Sequence, residues 1–308
     1  MSVQPRRASA LRPLALLLAA IVGACGGGDA DVQTTADIEV ADVGFATPES
    51  VAMDTVADVY LVSNVNGDPF AKDNNGFISR VTPDGQVEDL RWIDGAEAAF
   101  NLHAPKGIAV YGDSIYVADI DCIRIFHRVT GERATEVCVD GATFLNDVAF
   151  GPEGSLFVTD SGFREGFEAS GTDAIFRLAV DESRRGATLS RSPDLGHPNG
   201  IAVGTRGIFV VTFGSGEVLR FTPSGDKTVV IPASDRQLDG IVFDNAGGFL
   251  YSSWGDSTVY HVGADGRTTA VVEGVDAPAD IGFDPRRNRI LVPLFNENRV
   301  LIRELPAG

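Results

Sequence analysis

One short pattern of apolar and small positions recurs six times along the chain. It reads proline or leucine, a variable residue, usually a small one, an aliphatic, a small or aliphatic, and another apolar residue. The copies are Pro48-Glu-Ser-Val-Ala-Met, Pro105-Lys-Gly-Ile-Ala-Val, Leu145-Asn-Asp-Val-Ala-Phe, Pro198-Asn-Gly-Ile-Ala-Val, Leu238-Asp-Gly-Ile-Val-Phe and Pro278-Ala-Asp-Ile-Gly-Phe. They start 57, 40, 53, 40 and 40 residues apart. Each runs into a turn rich in Gly, Asp or Pro, and a second β-rich segment follows, such as Ile115-Tyr-Val-Ala or Phe249-Leu-Tyr-Ser. Third and fourth strands show in most units, as in Val218-Leu-Arg-Phe and Thr228-Val-Val-Ile around the Pro223-Ser-Gly-Asp turn. β-branched and aromatic enrichment with turn chemistry at even spacing predicts an all-β fold. Units of about 40 residues with four strands, repeated six times, predict a single six-bladed β-propeller.

The ends of the pattern predict how the ring closes. The last unit has strands near 281–284, 290–294 and 299–305 and lacks an outer one, whereas Asp37-Ile-Glu-Val-Ala-Asp-Val precedes the first unit as a spare. This N-terminal strand is expected to complete the sixth blade and leave no open edge. The propeller then spans 37–308.

Up-and-down blades place the start of each innermost strand, the link between strands two and three, and the link between blades on one face. The long spacings come mainly from Ser63–Gly76, Asp94–Ala104 and Ser161–Asp173, all on that face; residues 181–187 lie on the other. Loops on a rigid scaffold carry function, so this mouth is the candidate binding face. The variable hexapeptide residue sits there beside the axis: Glu49, Lys106, Asn146, Asn199, Asp239 and Ala279. Four of these, Glu49, Asn146, Asn199 and Asp239, are oxygen donors. Two carboxylates and two amides with no Cys or His make a hard set suited to Ca²⁺, with Mg²⁺, Mn²⁺ and Zn²⁺ left open. The plain alternative is that Asn and Asp only shape the turns that begin strands.

On these residues the chain resembles the SMP-30/gluconolactonase/luciferin-regenerating enzyme family of six-bladed propellers, over essentially all of 37–305. The resemblance implies that Glu49, Asn199 and Asp239 hold one divalent cation, and that Asn146 is a fourth ligand or contacts substrate or water. It further implies a metal-dependent hydrolase opening a lactone or related ester, the cation polarising the carbonyl and Asp239 or a mouth histidine activating water. Asp239 and Asn146 are the expected catalytic positions. Lys106 departs from the family pattern: its ammonium near the cation either weakens metal binding or attracts an anionic substrate group, or else it turns away to solvent or an acid. Units two and six are similar to NHL repeats as well, which implies the alternative of a non-catalytic binding propeller.

His103 and His197 precede innermost strands and are candidate substrate-binding or proton-shuttling groups, whereas His127 and His261 fall in third strands, away from the axis. Phe213, Trp254 and Phe295 end second strands at the mouth and either wall a pocket or pack between blades; Asp119 and Asp160 hold the same place in units two and three. Cys122 and Cys138 lie nearly opposite each other about Thr130-Gly131, which places a disulfide within one residue of register. No Gly-x-Ser-x-Gly, His-Glu-x-x-His or phosphate-binding glycine loop is present, which argues against serine hydrolases and nucleotide enzymes.

The N-terminus changes the setting. Arg6, Arg7 and Arg12 precede an apolar run from Leu14 to Ala24, which as a helix rises only about 16 Å and is too short to span a bilayer. Val22-Gly23-Ala24-Cys25 resembles the lipobox of bacterial lipoproteins, so 1–24 is expected to be a signal peptide, Cys25 the lipidated N-terminus and 25–36 a tether. Loss of 1–24 moves the formal charge from −18 to −21. That acidity argues against nucleic acid and anionic lipid surfaces, leaving the acyl anchor as the membrane contact. The expectation is an exported monomeric lipoprotein, periplasm-facing or on the outer membrane, acting on a small molecule.

Overall fold

The computed structural model describes residues 37–97, 101–179 and 186–306. The expected signal peptide, Cys25 and the tether lie outside them. Six four-stranded antiparallel sheets form the blades of a propeller, and the described residues contain no α-helix. Each innermost strand begins at a hexapeptide: Pro48–Asp54, Pro105–Tyr111, Leu145–Phe150, Pro198–Gly204 and Leu238–Phe243, with Gly282–Asp284 in the sixth blade.

The ring closes as the sequence predicts. Ile38–Val40 pairs antiparallel with Arg299–Glu304, giving the sixth sheet its fourth strand. Val40 is buried with Val51 of blade one and Val300 and Ile302 of blade six, and Arg303 reinforces the seam by pairing with Asp37. The core is correspondingly not central. It divides into one large apolar cluster at each of the six blade interfaces; Leu250 and Val259 of blade five pack on Ile281 and Ile290 of blade six, for example.

A defect repeated in the innermost strands sets the site. In blades one to five, pairing with the second strand slips by one residue between hexapeptide positions one and four. The bulge turns the second position toward the axis. It also frees the third residue's N–H, which second-strand hydroxyls accept: Ser63 from Ser50 at 2.9 Å, Thr159 from Asp147 at 3.0 Å and Ser252 from Gly240 at 2.7 Å. Thr159 and Ser252 then donate across the interface, to the carbonyls of Asn199 and Ala279 in the next blade. Close approach explains the small third residue: a Cβ on Gly200 would lie 2.5 Å from the Asp239 carbonyl, and one on Gly240 2.4 Å from the Ile281 nitrogen.

Cys122 and Cys138 are direct cross-strand partners in blade two and form a disulfide. It closes a loop of 16 residues. The double change Cys122→Ser/Cys138→Ser is expected to lower unfolding stability by up to about 3 kcal/mol, read as a lower urea midpoint at unchanged slope. An unchanged midpoint would show that the bond does not constrain the unfolded chain.

Candidate functional site

The bulges deliver Glu49, Lys106, Asn146, Asn199 and Asp239 to the floor of a cavity of about 630 Å³ at the predicted mouth. All five are at most 6% exposed. Burial of this kind normally comes with hydrogen bonds to every polar atom. Here one oxygen on each of the four donors has no partner: Glu49 Oε2, Asn146 Oδ1, Asn199 Oδ1 and Asp239 Oδ1. The nearest internal contact is a long one, Asn199 Nδ2 donating to Asp239 Oδ2 at 3.5 Å. Four lone oxygens from four blades, buried and unsatisfied, carry the donor chemistry of a hard cation. The set holds two carboxylates, and no cluster of three or more His, Cys, Asp or Glu capable of gripping a metal occurs among the described residues. The two amide oxygens must therefore supply half of any coordination by these side chains.

Electrostatics agree with a site built for positive charge. Burial, then the charges of Asp239 and Asp280, push the Glu49 carboxyl well above its ordinary range. Burial and Asp280 do the same to Asp239, although Asn199 works against them. Asp147 and Asp280 form a second, buried acidic layer beneath the first, which the repeat pattern does not mark. Asp147 accepts from the backbone N–H of Val148 and of Ile201, at 2.6 and 2.7 Å. Asp280 accepts from the Ser50 hydroxyl, and burial lifts its pKa to about 7. Both occupy the third hexapeptide position, which reads as merely small, and both line the opposite opening of the channel.

Lys106 neither reaches solvent nor pairs with an acid. It is 2% exposed; Nζ donates to the Ala104 carbonyl at 3.0 Å and lies 4.2 Å from the centre of the Phe144 ring. Burial lowers its pKa, with Glu49 and Asp119 pulling the other way.

The two mouth histidines separate. His197 lines the cavity. Its Nδ1 lies 2.7 Å from the Ser161 carbonyl, which can only accept, so Nδ1 carries the proton of the neutral ring and Nε2 keeps the lone pair. Asp173 Oδ2 sits 3.3 Å from the same Nδ1 and accepts from the His197 backbone N–H. The ring stacks on Phe163 at 4.1 Å, and a Cβ on Gly214 would come within 2.4 Å of it. His103 lies outside the cavity, its Nδ1 accepting from the Asn74 N–H. His127 accepts from turn amides, and His261 pairs with Asp244 at 2.6 Å. Asp119 and Asp160 anchor the links entering blades two and three, through the N–H groups of Ala104 and Phe144.

Aromatic rings make the walls. Phe213, Trp254 and Phe295 line the cavity and also pack across the blades, with Trp254 5.5 Å from each of the other two, so they fill both roles the sequence leaves open. A second group, Phe144, Phe163 and Phe167, comes from blade three. Its hairpin, Phe163–Arg164 against Glu168–Ala169, lies within the insertion 161–173. Of the three enlarged connections, 63–76 contributes Val65 and Pro69 and 161–173 contributes two rings, whereas no described residue of 94–104 lines the cavity.

The fold and its channel define a six-bladed propeller with a polar axial floor and an aromatic mouth. Among solved structures the chain is similar to virginiamycin B lyase from Staphylococcus aureus, at 14% identity and TM-score 0.64, over 88% of this chain and 99% of that one. It is similar to a gluconolactonase from Xanthomonas campestris at 18% identity and TM-score 0.65, over 85% and 87%. A catalytically inactive His-to-Ala form of the staphylococcal lyase with quinupristin matches at 14% identity and TM-score 0.60, over 88% and 99%. No protein-family model and no curated protein matches the sequence. These likenesses establish the fold.

Proposed function

We propose that this protein is a divalent-cation-dependent hydrolase that opens a lactone or related ester, exported and tethered through Cys25. The observation that carries the reading is the ring of four buried, unpartnered oxygens at the floor of an open cavity. Glu49, Asn146, Asn199 and Asp239 would hold the ion, most suitably Ca²⁺. When bound, such an ion supplies Lewis-acid polarisation of the ester carbonyl and stabilises the developing oxyanion. His197 accepts a proton from water at Nε2, its tautomer held by the Ser161 carbonyl. The water oxygen bonds to the acyl carbon, the acyl C–O bond breaks, and the proton taken by His197 passes to the leaving alkoxide.

One structural neighbour is named a gluconolactonase, which supports lactone chemistry, and another is a lyase whose His-to-Ala form is catalytically inactive. A lyase cleaves its substrate without adding water, so reaction in ¹⁸O-water separates the two routes. We expect one ¹⁸O in the product carboxylate and loss of turnover on chelation, restored by Ca²⁺. His197→Gln is expected to lower kcat by about 10²-fold or more while calcium affinity stays unchanged. Turnover that survives chelation, or product without label, would overturn the hydrolase reading. The rival, a non-catalytic binding propeller, is disfavoured because the mouth stays open above the floor and Lys106 is folded onto Phe144 rather than filling it.

A further inference from the structure

Resting on the hydrolase reading, we propose that the substrate is an ester or lactone fused to, or carrying, a flat aromatic body, and that polyhydroxylated lactones are excluded. Above the axial floor the cavity presents six aromatic rings, together with Val65 and Pro69. The rings form two groups. Phe213, Trp254 and Phe295 come from blades four to six, and Phe144, Phe163 and Phe167 from blade three, which stands opposite blade six in a ring of six. A planar ring entering between them meets aromatic faces or edges on both sides, the arrangement such pairs prefer.

A sugar lactone meets the reverse. Each hydroxyl is both donor and acceptor and must find partners when buried. Polar side chains in the wall are few. His197 has Nδ1 committed to Ser161, and Gln237 stands at the link into blade five. The rings themselves offer no accessible polar atom, since Trp254 Nε1 is buried. A wall with so few polar partners suits a flat apolar ring better than a polyol.

The test uses lactones of one ring size: isochroman-3-one, δ-valerolactone and D-glucono-1,5-lactone. The fused aromatic compound is expected to exceed δ-valerolactone in kcat/KM by at least about tenfold, as one or two aromatic contacts allow, with gluconolactone lowest. Trp254→Ala should remove most of that preference. Trp254→Phe, which keeps a ring and guards against misfolding as the cause, should restore part of it. Binding is read separately. Trp92 and Trp254 are the two tryptophans, so a Trp92→Phe background reports on the cavity alone. Indan-1-one, which cannot be hydrolysed, should quench that fluorescence saturably, and D-glucitol should not. Quenching without turnover of any lactone would uphold the aromatic site and sink the hydrolase reading. Gluconolactone turned over best, or glucitol bound in place of indanone, would overturn the proposal.

Discussion

Asp239→Asn is expected to lower kcat/KM for the preferred ester by at least about 10²-fold, and to make the calcium-free fold more stable. The loss follows because half of the charge available to hold and orient the ion goes with the carboxylate, and one oxyanion-stabilising element alone is worth 10²–10³ in rate. The gain follows because Asp239 is 3% exposed, its Oδ1 has no partner, and Asp280 repels it. Removing an uncompensated buried charge while keeping shape should add about 1–2 kcal/mol in chelator at pH 8. Steady-state kinetics and urea unfolding of the same preparation check both signs. A variant that loses activity by losing stability would instead mark Asp239 as a structural residue.

The axial residues were legible because the repeat fixes register. Once Pro48-Glu and Leu238-Asp are aligned as equivalent positions, Glu49 and Asp239 must share one end of the channel. The closing strand was legible for a related reason, since Arg299–Glu304 needs an edge partner and Ile38–Val40 has none of its own. Asp147 and Asp280 were not. Their position tolerates only small side chains where Gly107, Gly200 and Gly240 meet the next blade, and an acid there looks like a strand-opening turn until the bulge is seen. The same bulge aims each second-position side chain, and no residue pattern announces it. The wall of Phe144, Phe163 and Phe167 depends on a hairpin folding back over the mouth, so only tertiary packing brings it to the site. His103 and His197 look equivalent in sequence; they part because Gly214 leaves room for the His197 ring, while the His103 ring is turned toward Asn74.

Calcium is expected to stabilise the protein strongly at pH 8 and little at pH 5. Glu49, Asp147, Asp239 and Asp280 all titrate higher in the folded chain than in the unfolded one, burial being the first cause for each. Between the ordinary carboxylate range, about pH 4, and the folded value of about 7 for Asp280, the folded chain binds more protons than the unfolded chain. Stability of the chelated protein is therefore full at the acid end of that window and is lost as pH rises through the folded values. A bound divalent ion offsets the repulsion that appears there. At a free concentration 100 times Kd it adds about 2.7 kcal/mol. For a domain of this size that is a rise in Tm of roughly 5–10 °C at pH 8, shrinking toward pH 5 as the carboxylates take up protons. Calorimetric scans with calcium or chelator across this range check it; a calcium effect that grows on acidification would contradict it.

Isothermal titration of Ca²⁺ into the wild-type propeller at neutral pH, beside Asp239→Ala, tests the central claim most directly. The four-oxygen floor predicts one ion per chain with Kd of about 10⁻⁵ M or tighter, weakened at least about 100-fold by the substitution. No binding by the wild type, or the same binding by the variant, would mean that the oxygens of Glu49, Asn146, Asn199 and Asp239 do not form a cation site.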